Sequence, residues 1–382
     1  MELTLNSAVL NEQLTGIRRF TFLVRDTPGA CALTIGEPDL NTPEVVKEAA
    51  KAALDANDTH YPPGNGYPYM LEAIAKYERE HHGLNYSPDE IIITVGATES
   101  LHIALATILN PDDEVIIPTP AFSLYGSIVR LCRGKVVNLP VEDNDFQIDP
   151  EKLRAAITPK TKAILLNSPN NPTGRTFTRE TLDAIHDVLV DKPIFVLCDD
   201  IYRELMYIDN YHTFAEYTDM RDRIIVIGGF SKTYAMTGWR LGYCMADAPI
   251  RDRMQIFHQY MVVSVPSFVQ PACVAALESD VTPMLNTFRK RRDYVYKRLL
   301  DMGLEVAKPD GAFYMFFSIK KYGMGSEDFC MKLLQEGGLG LIAGAYFDCD
   351  GYIRVSYCYS DEDLKEGLDR LEKFLKTLEV KE

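Results

Sequence analysis

Lys232 is the residue whose surroundings most constrain its chemistry. It stands in Gly229-Phe230-Ser231-Lys232-Thr233-Tyr234-Ala235-Met236-Thr237-Gly238-Trp239-Arg240, directly after the apolar run 223–228. Most lysines lie on surfaces, but this one is placed at the carboxyl end of a predicted strand, where open α/β sheets gather their ligands. Eight residues on, Arg240 falls in a second apolar run, 239–245, and a guanidinium beside a buried strand needs an anion. Gly96-Ala97-Thr98-Glu99 joins a third apolar run to a helical pattern. Small residues there either make a tight turn or leave the first free N–H groups of a helix open to a phosphate.

Further candidates sit at equivalent places. Asp199-Asp200-Ile201-Tyr202 follows the run 194–198, either as an acidic turn or as a carboxylate aimed at a ligand. Asn167-Ser168-Pro169-Asn170-Asn171-Pro172-Thr173-Gly174 is a turn by composition, and a Pro-bracketed turn also holds the amide of Asn171 still. Phe122, in Pro120-Ala121-Phe122, is either core or an apolar face for a flat ring. Arg354 lies between Ile353 and Val355, so simple alternation would point it outward; its fork is also suited to a carboxylate. Gly338-x-Gly340-x-x-Ala343 mimics a dinucleotide fingerprint but follows a helix and opens a strand, the reverse of the order required, so NAD is not expected. The seven histidines lack metal-ligand spacing.

These residues need a scaffold of strands. Apolar runs at 91–95, 115–118, 162–167, 194–198, 224–227 and 241–245 alternate with helical patterns such as 99–109 and 179–190. That alternation predicts an α/β fold with a mostly parallel sheet covered on both faces. Thr42 can cap a helix that starts at Pro43 and buries Val45, Val46, Ala49, Ala53 and Leu54. A second helix should end at Gly83. Beyond it all, a long polar helix over 283–302, strands at 312–318 and 352–357, and helices at 326–336 and 361–378 read as a smaller α+β domain. The expected division is a large domain over 42–285 and a small one built from 1–41 and 286–382.

The Ser-Lys and Gly-x-Arg-x-Gly elements at this spacing resemble the signature of class I/II aminotransferases, the fold-type I pyridoxal 5′-phosphate (PLP) enzymes. The resemblance extends from about residue 35 to 357 and is of the aspartate/aromatic amino acid aminotransferase kind. It implies a seven-stranded, mostly parallel large domain in which Lys232 carries PLP covalently. Asp199 would pair with the pyridine nitrogen, Tyr202 and Asn171 would meet the phenolic oxygen, and Phe122 would stack on the ring. Ala97, Thr98 and Arg240 would hold the phosphate. Many relatives carry a phosphate-binding serine where Gly229 stands, and Ser231 is not expected to replace it. Gly36 and Arg354, with Asn171, would bind the substrate carboxylate, and Tyr61 would reach the phosphate of a neighbouring subunit in a homodimer.

The implied reaction is ping-pong transfer of an amino group from an L-amino acid to a 2-oxo acid such as 2-oxoglutarate. Aspartate-specific relatives carry an added basic residue in the segment matching 262–267 or at the place of Thr98, and neither is present. An aromatic or large neutral donor is therefore expected, with Arg18 or Arg19 able to supply a charge. The alternatives are an aspartate aminotransferase and a C–S β-lyase on the same fold. A PLP-binding transcription regulator is not expected, because the motifs begin by residue 36, nor is a non-catalytic scaffold, because no catalytic position is lost.

The whole chain agrees with this class. Its 382 residues call for two domains, and 46% hydrophobic with 25% charged residues is a globular balance. A net charge of −15 disfavours nucleic-acid partners. Eight scattered cysteines without a C-x-x-C read as reduced thiols, Met1-Glu2-Leu3-Thr4 does not open a signal peptide, and no apolar stretch is long enough to span a bilayer. A cytoplasmic protein is expected.

Overall fold

The computed structural model describes residues 4–10 and 12–380. The three residues that open the chain and the two that close the expected small domain lie outside this description.

Seven strands form the larger sheet: β1 (Ile91–Thr94), β2 (Glu114–Thr119), β3 (Lys135–Pro140), β4 (Thr161–Asn167), β5 (Phe195–Asp199), β6 (Ile224–Gly229) and β7 (Gly242–Ala246). Their spatial order is β1-β7-β6-β5-β4-β2-β3. Only β7 runs against its neighbours, and the other pairings are parallel. Runs such as Ile224-Ile225-Val226-Ile227 carry no alternation because helices cover both faces, and all four side chains are buried. Six strands match the apolar runs of the sequence. The seventh, β3, is an edge strand in which only Leu139 is buried, so its pattern is too polar to stand out.

Around this sheet and beside it lie α1 (Gly16–Arg25), α2 (Glu44–Asp55), α3 (Pro68–His82), α4 (Ala97–Ile108), α5 (Arg179–Leu189), α6 (Ala248–Val262), α7 (Thr282–Asp301) and α8 (Asp361–Leu375). A second, antiparallel sheet comprises β8 (Glu305–Val306), β9 (Tyr314–Ser318), β10 (Ile342–Ala343) and β11 (Tyr352–Ser356), in the order β10-β11-β9-β8. Cys31–Ala32 pairs in parallel with Leu339–Gly340, which ties the N-terminal segment to the C-terminal part. Gly338, left-handed at φ +63, ends a helical turn before that short strand, so the glycine pair there follows a helix. The eight cysteines are all free and six are buried. Among the described residues no single helix is long and apolar enough to cross a membrane.

Two local expectations need correction. Thr42 does not cap α2: Pro43 holds that place without a side-chain bond, while the Thr42 hydroxyl donates to Ala235 O and accepts from Trp239 Nε1. The loop after Lys232 has taken the hydroxyl that a cap would use. The buried stripe of α2 is Val46, Ala50 and Ala53, whereas Val45 and Leu54 are 54% and 46% exposed. Apolar residues flank the stripe on both sides, so periodicity alone did not locate its centre. Gly83 does end α3, in the left-handed region at φ +68.

Beneath the site lies a buried ion pair. Arg203 donates to Glu78 of α3 and to the Tyr243 hydroxyl, and Tyr243 donates to Glu78 in turn. Both charged side chains are nearly inaccessible. Removing Glu78 leaves the dry Arg203 guanidinium only its longer carboxylate contacts among the described residues, to Glu204 at 3.6 Å and Asp200 at 3.9 Å, a loss of about 3–5 kcal/mol. Glu78→Leu should show that loss in urea unfolding, while Glu78→Leu combined with Arg203→Met should recover most of it. A double variant no more stable than the single one would refute this account.

Candidate active site

The carboxyl ends of β1, β2, β4, β5 and β6 meet at one cavity of about 480 Å³. Each strand delivers its residues as its backbone pairing stops. The sequence-derived set lining the cavity comprises Gly36, Ala97, Thr98, Phe122, Asn171, Asp199, Tyr202, Lys232, Arg240 and Arg354. Tyr61 is the exception. It is 86% exposed on the loop before α3 and lines no part of this cavity in its own chain.

Asp199 is the last residue of β5 and is buried. Burial pushes its carboxyl up to about 6, against hydrogen bonds from Tyr125 and the Ile201 N–H and the attraction of Lys232. Tyr125 Oη donates to Asp199 Oδ2 at 2.6 Å. Asn167, the last residue of β4, donates from Nδ2 to Asp199 O at 2.8 Å and accepts at Oδ1 from the Asn171 N–H at 2.9 Å. One amide therefore fixes the carboxylate's backbone and the start of the Asn171 turn together.

Asn171 Oδ1 accepts from Arg354 Nη1 at 2.9 Å, and Arg354 Nη2 donates to Thr34 O. Arg354 is 2% exposed, so it points inward, not out as simple alternation suggested. Ile353, Val355 and Ser356 are buried too, because β11 is covered on both faces. Burial lowers the Arg354 pKa, but a guanidinium keeps its charge. Its Nε is buried without a partner. The guanidinium carbon lies 4.7 Å from the Tyr314 ring centre and 5.0 Å from that of Phe347. Tyr314 in turn exchanges a 2.8 Å hydrogen bond with the Tyr202 hydroxyl. Two polar links thus cross between the small sheet and the large one.

Lys232 Nζ donates to Gly36 O at 2.8 Å. Burial lowers its pKa to about 8; Arg354 and Arg240 push the same way, against Cys358 and Glu37. Gly36 packs so closely on Tyr314 that a Cβ would stand 1.8 Å from the phenol oxygen. At the start of α4, Gly96 has φ +76, and a Cβ there would lie 2.6 Å from Arg240 Nη2. A Cβ on Gly242 would sit 2.7 Å from the Ala97 nitrogen. These glycines keep a helix start and a guanidinium close together with nothing between them. Glu99 braces that helix start by accepting from the Val95 N–H and pairing with buried His258. Ser231, which the sequence reading set aside, lines the same cavity.

Tyr125, Asn167 and Tyr314 were not singled out by sequence. Asn167 lies inside a quoted motif and Tyr125 three residues beyond another, and only their three-dimensional partners distinguish them from turn and core residues. Tyr314 lies in a strand whose every side chain is buried, so alternation gives no clue to it.

The residues present fit pyridoxal phosphate. Among the described residues no guanidinium or ammonium is bonded to the buried Asp199 carboxylate, which suits it to a protonated ring nitrogen. The Gly96–Ala97 helix start beside Arg240 is an open cradle for a phosphate. Lys232 supplies an amine of depressed pKa for an aldehyde.

Comparison with known proteins agrees. The family model for aminotransferase class I and II matches residues 29–371. The chain is 42% identical to a probable N-acetyl-LL-diaminopimelate aminotransferase of Bacillus subtilis, covering 98% of this chain and 96% of that one. It is 39% identical to aromatic-amino-acid aminotransferase 2 of Thermococcus litoralis, with 94% and 95% covered. In structure it is similar to the aspartate aminotransferase of Thermus thermophilus with maleate, at a TM-score of 0.93 and 32% identity over 98% of this chain and all of that one. The chain therefore belongs to the class I and II aminotransferases, PLP-dependent enzymes of fold type I, and its activity is amino-group transfer.

Proposed function

We propose that this enzyme transfers the amino group of an aromatic or large neutral L-amino acid to 2-oxoglutarate. The observation that carries the assignment of residues is the single cavity that holds Lys232, Asp199, Arg240 and Arg354 together. In this reading Ala97, Thr98, Ser231 and Arg240 hold the cofactor phosphate, Asp199 faces its ring nitrogen, and Phe122 covers the ring. Tyr202 and Asn171 meet its phenolic oxygen. When bound, pyridoxal phosphate supplies an electron sink for the pair left at the substrate's Cα after its proton is removed.

The chain's own residues do the rest. Arg354 grips the substrate carboxylate beside Asn171 and the Gly36 backbone, which fixes the Cα–H bond toward Lys232. Lys232 Nζ takes that proton as base. With a pKa of about 8, roughly a tenth of it is unprotonated at pH 7, which suits both taking and returning a proton. The Tyr125 bond favours the ionised form of Asp199, the form that would pair with a protonated ring nitrogen.

The choice of donor rests on the apolar part of the cavity lining. Ile17, Phe22, Ile35, Leu101 and Leu124 belong to it, the chemistry that would suit a large uncharged side chain. Relatives named for aromatic amino acids, aspartate and N-acetyl-LL-diaminopimelate show how far this scaffold's specificity ranges. The division into domains 42–285 and 1–41 with 286–382 belongs to the same proposal, its second boundary falling inside α7. So does a homodimer, supported by exposed Tyr61, Tyr260 and Val263.

Three experiments test the reading. Lys232→Ala should abolish the visible absorbance of the bound cofactor and lower turnover by about a thousandfold or more; retained colour and activity would sink the assignment. Second, the rate of pyridoxal phosphate uptake by cofactor-free protein should climb with pH through about 8 as Lys232 loses its proton, and should fall more steeply below about 6 as Asp199 gains one. The Tyr125 bond favours the ionised carboxylate, so Tyr125→Phe should move the steep part to higher pH, and an unmoved profile would show that the hydroxyl does no such work. Third, kcat/KM measured with 2-oxoglutarate should be higher for phenylalanine than for aspartate, alanine or lysine; a preference for aspartate would reverse the donor assignment.

A further inference from the structure

We infer that Arg18 is the residue that recognises the distal carboxylate of the dicarboxylate acceptor. This deepens the proposed function and rests on its assignment of 2-oxoglutarate.

Two turns of α1 form one side of the cavity. Thr15, Ile17, Arg18, Thr21 and Phe22 face it, while Phe20 and Val24 on the opposite side are buried in the core at 4% and 2% exposure. The spacing is that of a helix with one face on the core and one on the cavity. The helix is firmly seated at its start. The Thr15 hydroxyl accepts from the Arg18 N–H at 3.3 Å, and Gly16 packs against the Tyr346 ring so closely that a Cβ would meet it at 2.3 Å. The backbone of Arg18 is thus fixed relative to the cavity.

Its side chain is not committed. Among the described residues Arg18 makes no ion pair and no side-chain hydrogen bond; its guanidinium carbon lies 5.6 Å from the Phe22 ring centre. Other arginines nearby are engaged: Arg19 donates to Gln13, Arg25 to Asp26, and Arg130 to Glu12.

Charge counting then leaves one guanidinium over. The cavity is lined by Arg18, Lys232, Arg240 and Arg354 against a single carboxylate, Asp199. The cofactor phosphate occupies Arg240, the carboxylate next to the reacting carbon occupies Arg354, and the ring nitrogen occupies Asp199. Lys232 is taken by the carbonyl chemistry. A third anion on the substrate has only Arg18 to meet it. Large neutral substrates leave Arg18 in water beside Phe22, so one cavity accepts both partners of the proposed exchange.

The test uses cofactor-loaded dimer or monomer as purified, with two unreactive ligands titrated through the cofactor's absorbance. Glutarate carries the distal carboxylate, and 3-phenylpropionate carries a ring in its place. A charge-assisted bond of this kind corresponds to about a ten- to hundredfold change in affinity. Arg18→Gln should weaken glutarate by that factor and leave 3-phenylpropionate within about twofold, with KM for 2-oxoglutarate rising in parallel and KM for phenylpyruvate unchanged. Arg18→Lys should restore part of the glutarate affinity. Equal loss for both ligands, or none for either, overturns the inference while leaving the acceptor assignment standing. Wild-type protein that binds 3-phenylpropionate but not glutarate overturns the acceptor assignment, and the inference with it.

Discussion

Asp199 is a carboxylate almost wholly withdrawn from water, and the site is organised around that constraint. Burial raises its pKa to about 6, which leaves roughly a tenth of it protonated at pH 7. The Tyr125 hydroxyl and the Ile201 N–H oppose this but do not cancel it. Only a positive group placed in the same dry space makes the ionised form decisively favourable. The same burial that disfavours charge on Asp199 disfavours it on Lys232, which drops to about 8. One environment thus prepares an acid-side and a base-side group at once, both poised within about a unit of neutrality.

The carboxylate is also a mechanical reference point. From its backbone oxygen a route of hydrogen bonds runs through the Asn167 amide to the Asn171 N–H, and from the Asn171 side chain to Arg354. The first two residues end or follow β4 of the large sheet, and the last belongs to β11 of the small one. A second route joins Tyr202 to Tyr314 and then to Arg354 through its ring. The position of the Arg354 guanidinium is therefore set by groups anchored in both sheets. Any shift of the small sheet relative to the large one must pass through these polar contacts.

How much of this was legible follows from what a side chain's partners are. Lys232, Arg240, Asp199 and Asn171 sit at strand ends, and strand ends could be read because short unbroken apolar runs mark buried parallel strands. Arg354 was legible as a residue but not in its direction, because alternation fails in a strand buried on both faces. Tyr125 and Asn167 carry no local signature, since their importance lies in bonds to residues 74 and 32 positions away. Edge strand β3 was missed for the opposite reason, being half exposed and polar. In α2 the apolar positions outnumber the buried ones, and Val45 and Leu54 remain on the surface.

Glycine explains how closely the groups around the cavity approach one another. A close-packed interior leaves no room for an added Cβ, so backbone meets a guanidinium, a phenol or another backbone only at positions where the side chain is absent. Gly96 and Gly242 are such positions, and a methyl group at either would strike Arg240 or the Ala97 nitrogen. Gly36 is another, held against Tyr314. At Gly96 the backbone itself is left-handed, so two independent constraints act on one residue. The charged groups around these glycines could each be found elsewhere in a protein of this size. What gathers them is that glycine lets a helix start, a guanidinium and a phenol pack closer than any side chain would allow.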